Sequence, residues 1–83
     1  MSIRLYVGNL PYSVTDEQLA DLFASYGEVT VARVATEPGG RRSRGFGVVY
    51  MTDETAAHTA VDKLNASLLG DRALTVSEVR SQG

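Results

Sequence analysis

In the stretch Arg44-Gly45-Phe46-Gly47-Val48-Val49-Tyr50-Met51, residues with binding chemistry recur at every second position. Side chains alternate between the two faces of an extended strand. Arg44, Phe46, Val48 and Tyr50 therefore share one face, and Gly45, Gly47, Val49 and Met51 share the other. The second set is small or apolar and suits contact with helices. The first set offers two rings and a guanidinium where a half-buried strand ordinarily shows polar groups to water. Unpaired nucleotides fit such a surface, because bases stack on aromatic rings and phosphates pair with arginine.

These side chains need a sheet with one uncovered face, and the rest of the chain reads as its parts. Ile3 to Gly8 alternates, with Ile3, Leu5 and Val7 on one side and Arg4, Tyr6 and Gly8 on the other, and reads as a strand. Asn9 to Ser13 carries turn chemistry. Thr15 with Gln18 forms a capping box, Val14 and Leu19 a hydrophobic staple, and Asp16 and Glu17 put negative charge at the positive helix end. Leu19, Leu22, Phe23 and Tyr26 follow at helical spacing, and Gly27 stands where a left-handed cap is expected. Tyr12 and Tyr26 are read as loop or core packing.

Val29 to Ala35 is β-branched and reads as a strand, although Val29, Val31, Ala32 and Val34 cannot all share one face of a regular one. Arg33 within it faces either the ligand or the solvent edge. Thr36 to Ser43 is a hairpin loop that ends in arginines. Thr52 or Asp53 caps a second helix running to about Leu64, with Ala57, Ala60, Val61 and Leu64 inside. Asn65 to Arg72 reads as a loop with Leu68 and Leu69 tucked against the core. Leu74, Val76 and Val79 mark a last strand, Thr75 and Ser77 lie on its opposite face, and Arg80 to Gly83 is a polar tail.

This order predicts an α+β fold, a ferredoxin-like βαββαβ sandwich. Its four-stranded antiparallel sheet has two helices on one face, because each helix has one apolar stripe and the strands offer one apolar face. The first and third strands become central neighbours, which brings Tyr6 beside Phe46 and Tyr50 as one platform.

The 83 residues allow one domain, with an ordered core over about 3–79. There is no cysteine and His58 is the one histidine, so disulfides and a zinc site are not expected. No Ser/His/Asp set, phosphate-cradling glycine loop or metal cluster is legible, and neither an enzyme nor a cofactor is expected. No apolar run approaches the ~18 residues of a membrane span and no signal peptide opens the chain, so a soluble, cytoplasmic module is expected. The net charge of −2 runs against nucleic-acid binding. Its distribution does not. Arg41, Arg42 and Arg44 cluster at the start of the aromatic strand, while Asp16, Glu17, Asp21, Asp53 and Glu54 gather elsewhere. Local potential governs a ligand, since screening cuts off exposed charges beyond about 10 Å at ~0.1 M salt.

Leu5-Tyr6-Val7-Gly8-Asn9-Leu10 resembles the RNP hexamer of the RNA recognition motif family, and Arg44 to Met51 resembles its octamer with two changes. The resemblance covers nearly the whole chain. It implies base stacking on Tyr6 and Phe46, a phosphate on Arg44, and further contacts from the last strand and tail. The binding residues expected on this basis are Arg4, Tyr6, Asn9, Arg33, Arg41, Arg42, Arg44, Phe46, Val48, Tyr50, Thr75, Ser77 and Arg80. Val48 stands where the family most often has a second ring, Met51 replaces an inward-facing aromatic, and Asp71 replaces a frequent glycine. Tyr50 is then expected to replace part of the stacking lost at position 48. The chain looks like a short stand-alone form of the bacterial and chloroplast type.

Two readings of function follow. The first is modest-affinity binding of single-stranded RNA by a monomer, in a post-transcriptional or RNA-chaperone role, with single-stranded DNA as a further ligand. The second is a protein-interaction module of the same fold, favoured by the acidic balance and by Val48 and opposed by Tyr6, Arg44 and Phe46.

Overall fold

Leu5 and Val7 are fully buried while Arg4 and Tyr6 are not, so the first alternating segment forms a strand, β1 (Ile3–Gly8), with one face in the core. The computed structural model describes residues 2–39 and 42–79. After β1 come α1 (Asp16–Ala24), β2 (Val29–Thr36), β3 (Ser43–Met51), α2 (Glu54–Leu64), β4 (Leu68–Leu69), β5 (Arg72–Ala73) and β6 (Thr75–Val79). Four strands make one antiparallel sheet in the order β2-β3-β1-β6, and β4 and β5 form a separate small hairpin. The expected βαββαβ sandwich is therefore present, with β1 and β3 at its centre.

One core joins the layers. Leu5, Val7, Val49, Met51 and Val76 from the sheet meet Leu19 and Phe23 of α1 and Ala57, Ala60 and Leu64 of α2 in a single buried cluster. Both helices thus cover the same face. Gly47 lets α1 approach: a Cβ there would fall 2.6 Å from the Arg33 carbonyl oxygen and 2.9 Å from Leu19 Cδ2. Among the described residues no helix is long and apolar enough to cross a membrane.

The helix starts follow local chemistry. The Gln18 amide donates to Thr15 Oγ1 at 3.2 Å, and the Thr15 amide donates to Gln18 Oε1 at 3.0 Å, which completes the capping box. Asp16 also accepts from the Val34 amide at 2.8 Å, tying the first turn of α1 to the edge strand β2. At α2 the cap is Asp53, which accepts from the Ala56 amide at 2.8 Å, while the Thr52 hydroxyl donates to Glu28 at 3.2 Å.

Other local expectations are corrected by tertiary contacts. The cap of α1 is Ser25 in right-handed geometry, and Gly27 is not left-handed. Gly27 instead leaves room for α2, since a Cβ would come 2.6 Å from the Ala56 Cβ. The valines of β2 do change faces. Pairing shifts by one residue between Val29 and Val31, so Val29, Ala32 and Val34 pack toward the core and Val31 is 40% exposed. A β-bulge adds one residue and so inverts the alternation beyond it.

The segment after α2 is a hairpin instead of a plain loop, with Gly70 at φ 67° in its two-residue turn. Leu69 packs against the core, but Leu68 is 72% exposed, because successive strand residues face opposite ways. Asn65 Oδ1 accepts from the Val76 amide at 3.0 Å and ties the end of α2 to β6. Val79 lies opposite Arg4, and register puts it with Ser77 and Thr75 on the face away from the helices.

Candidate nucleic-acid interface

The uncovered face is set by register. Arg4 of β1 lies opposite Tyr50 of β3, Tyr6 opposite Val48, and Gly8 opposite Phe46. Tyr6 and Phe46 are thus diagonal neighbours. The Tyr6 ring leans along its own strand over Gly8, where a Cβ would fall 2.7 Å from the tyrosine Oη. The space above Gly8 lets the ring reach Phe46, and the two centroids are 5.9 Å apart with planes inclined by 29°. The Arg44 guanidinium carbon lies 5.7 Å from the Phe46 centroid. Arg44, Phe46 and Tyr6 therefore run as a continuous row, with both rings partly exposed. Such a row can stack bases and hold a phosphate beside them.

The flanks carry hydrogen-bonding and charged groups. Ser77 lies opposite Tyr6 and Thr75 opposite Gly8, both exposed. Arg33 is opposite Val48 on the other side, which puts it on the platform face of the edge strand. Val48 is thus a low spot between Tyr6 and Arg33. Tyr50 does not join the rings: Tyr6–Phe46 is the one ring–ring contact among the described residues, and Tyr50 sits between Arg4 and Val31. The expected three-ring platform is a ring pair with a separate tyrosine one pleat away.

Gly45 turns the start of β3. Its φ of 83° is a conformation that glycine adopts without strain; its amide donates to Ser43 Oγ at 3.0 Å, and its carbonyl accepts from the Leu10 amide at 2.8 Å. These bonds fix the approach of Arg44 to Phe46.

Asn9 makes contacts within the fold that its sequence context did not announce. Its φ is 59°, its Nδ2 donates to the Ala73 carbonyl at 2.8 Å, and its Oδ1 accepts from Arg72 Nη1 at 3.0 Å. The side chain anchors β5 to the end of β1 and has both polar atoms engaged within the fold. Arg72, steered by that bond, lies 5.4 Å from the centroid of the Tyr12 ring. Tyr12 itself is 66% exposed, in place of the loop packing read from sequence. With Glu37, Arg42, Ser43 and Arg44 it borders a cleft beside the ring row. Tyr12, Arg72 and Glu37 are the site candidates that sequence reasoning missed. The available signal was Tyr12 itself, an aromatic among turn formers that no helix or strand period claims. Arg41 and Arg80 lie outside the described residues.

Charge is sorted by face. The helices carry Asp16, Glu17, Asp21, Glu54 and Asp62 against one lysine, Lys63. The platform face carries Arg4, Arg33 and Arg44 with no carboxylate among its described strand residues. A net charge of −2 therefore coexists with a positive sheet face.

Residues 5–75 match the RNA recognition motif. The chain belongs to the RNA recognition motif family. It is 38% identical over 80 residues to the glycine-rich RNA-binding, abscisic acid-inducible protein of Zea mays, an alignment that covers 96% of this chain and 51% of that one. It is 42% identical over 76 residues to the chloroplastic 28 kDa ribonucleoprotein of Spinacia oleracea, covering 92% of this chain and 33% of the relative. The chain thus spans about half, or less, of the length of these curated relatives. Among solved structures, RNA-binding protein PG1 superposes with a TM-score of 0.91 at 44% identity and 99% coverage of both chains. The Rna15 motif with bound RNA (GU) superposes at 0.82 with 31% identity, covering 96% of this chain and 83% of that one. By name two of these four are RNA-binding proteins, one is a ribonucleoprotein and one is a motif with bound RNA; none is named as an enzyme.

Proposed function

We propose that this domain binds single-stranded RNA, with bases stacked on Tyr6 and Phe46 and phosphates drawn to Arg44, Arg33 and Arg4. The observation that carries the reading is the row of guanidinium and two rings on the uncovered face of the sheet. The names of the relatives and the RNA held by the Rna15 motif support it. Affinity is modest, because the stack has two rings and few cations surround it. The bound form is a monomer acting after transcription, as a regulator or chaperone of RNA. Stacking does not sense the 2′-hydroxyl, so single-stranded DNA competes wherever no contact to that group is made.

Titrating short RNA into isotope-labelled protein tests the reading. The amides of β1 and β3 should move, and Phe46→Ala should abolish most of the change while the free spectrum stays dispersed. Unmoved platform amides at low salt would refute it. A protein-holding role, by contrast, predicts a pulldown partner that survives nuclease treatment together with an unresponsive sheet.

A further inference from the structure

At the Arg44 end of the ring row lies a cleft of about 570 Å³, bordered by Tyr12, Glu37, Arg42, Ser43 and Arg44. That volume is within the ~300–1,000 Å³ typical of small-molecule sites. Three features set it apart from an ordinary surface hollow. Its aromatic wall is held in place: Arg72 braces the Tyr12 ring at 5.4 Å, Asn9 fixes Arg72 at 3.0 Å, and the ring edge lies over Gly45, whose added Cβ would sit 3.4 Å from Tyr12 Cε1. Its opposite wall is also held, because the Glu37 amide donates to the Arg42 carbonyl at 2.8 Å across the base of the β2–β3 loop. And it is continuous with the platform, since Arg44 both lines the cleft and lies over Phe46.

We propose that this cleft takes one further nucleotide of the strand lying on the sheet, and that Glu37 makes it select guanine. The proposal rests on the RNA-binding reading above. The base stacks on the Tyr12 ring and its phosphate meets Arg42 and Arg44, which also offset the repulsion between phosphate and carboxylate. A carboxylate only accepts hydrogen bonds. Guanine presents two adjacent donors on its Watson–Crick edge, N1–H and N2–H, and both oxygens can be satisfied. Cytosine and adenine present one amino donor beside a ring-nitrogen acceptor, which a carboxylate repels. Uracil places its single N3–H between two carbonyl oxygens. Electrostatics alone therefore ranks guanine first and uracil last at this position.

The test is a set of uridine pentamers in which each position in turn is replaced by guanine, adenine or cytosine, with Kd measured for the parent chain, Glu37→Gln and Tyr12→Ala. At one position guanine should bind at least roughly fivefold more tightly than uridine, the low end of what a bidentate contact discriminates. Glu37→Gln should bring that ratio close to one, and Tyr12→Ala should weaken the guanine pentamer at that position most. The Tyr12 and Gly45 amides should move only with that pentamer. Equal affinity for all four bases at every position, or a guanine preference that survives Glu37→Gln, overturns the proposal and leaves RNA binding intact. Failure of every pentamer to bind overturns both. Tyr12 and Glu37 are exposed, so neither variant threatens the fold.

Discussion

Phe46 touches the Tyr6 ring on one side and the Arg44 guanidinium on the other, and it remains partly exposed. Removing its ring takes little from the core and much from a stacked base, which is worth ~1–3 kcal/mol by truncation. Phe46→Ala should therefore raise Kd for short RNA about tenfold or more, as read by fluorescence anisotropy, with the midpoint of thermal unfolding nearly unchanged. Tyr50 stands apart from the ring pair, so Tyr50→Ala should cost clearly less than Phe46→Ala. Val48→Phe places a ring between Tyr6 and Arg33 and should tighten binding several-fold. If Tyr50 substitutes for a ring at 48, the Val48→Phe gain should grow when Tyr50 is also removed, because the two rings then supply the same stacking. The stacking residues were legible because period-two alternation assigns a face from sequence alone. The role of Asn9 was not, since its partners Ala73 and Arg72 lie 64 and 63 residues away.

Among the elements, α1 and β3 are joined by what Gly47 lacks. Its missing Cβ would collide with the Arg33 carbonyl, a backbone atom that cannot swing aside, and with Leu19. Gly47→Ala should destabilise the fold by ~1–3 kcal/mol, the usual cost of overpacking, visible as a lower urea midpoint with an unchanged slope. Thr15→Ala removes the capping box and should cost ~1 kcal/mol by the same measurement. The helix starts could be read in advance because a cap is a contact between residues three apart. The end of α1 could not, because Gly27 is required by the distant Ala56 and not by the helix itself. The bulge in β2 left a visible trace, four apolar residues that no single face could hold, but only pairing with β3 located the extra residue.

For the molecule as a whole, the sorting of charge by face is what makes the proposed RNA binding compatible with a net charge of −2. Carboxylates on the helices lie on the side of the sheet away from the platform face, and screening over about 10 Å at ~0.1 M salt would weaken their repulsion of a strand bound there. Two or three phosphate contacts predict a shallow salt dependence, with log K falling against log salt at a slope of about −1.4 to −2.1. A slope near zero would mean that the arginines do not meet phosphate, and a much steeper one that the contact surface extends well beyond the platform. Alternation, caps and turn residues determined the βαββαβ order and the faces of β1 and β3, since each of those signals spans only a few neighbouring residues. Tertiary structure alone decided that Tyr6 pairs with Phe46 and not Tyr50, that Asn9 ties β5 to the end of β1, and that Tyr12 meets Arg72 and borders a cleft with Glu37. Those outcomes depend on register and on contacts between segments far apart in the chain, which no local pattern encodes.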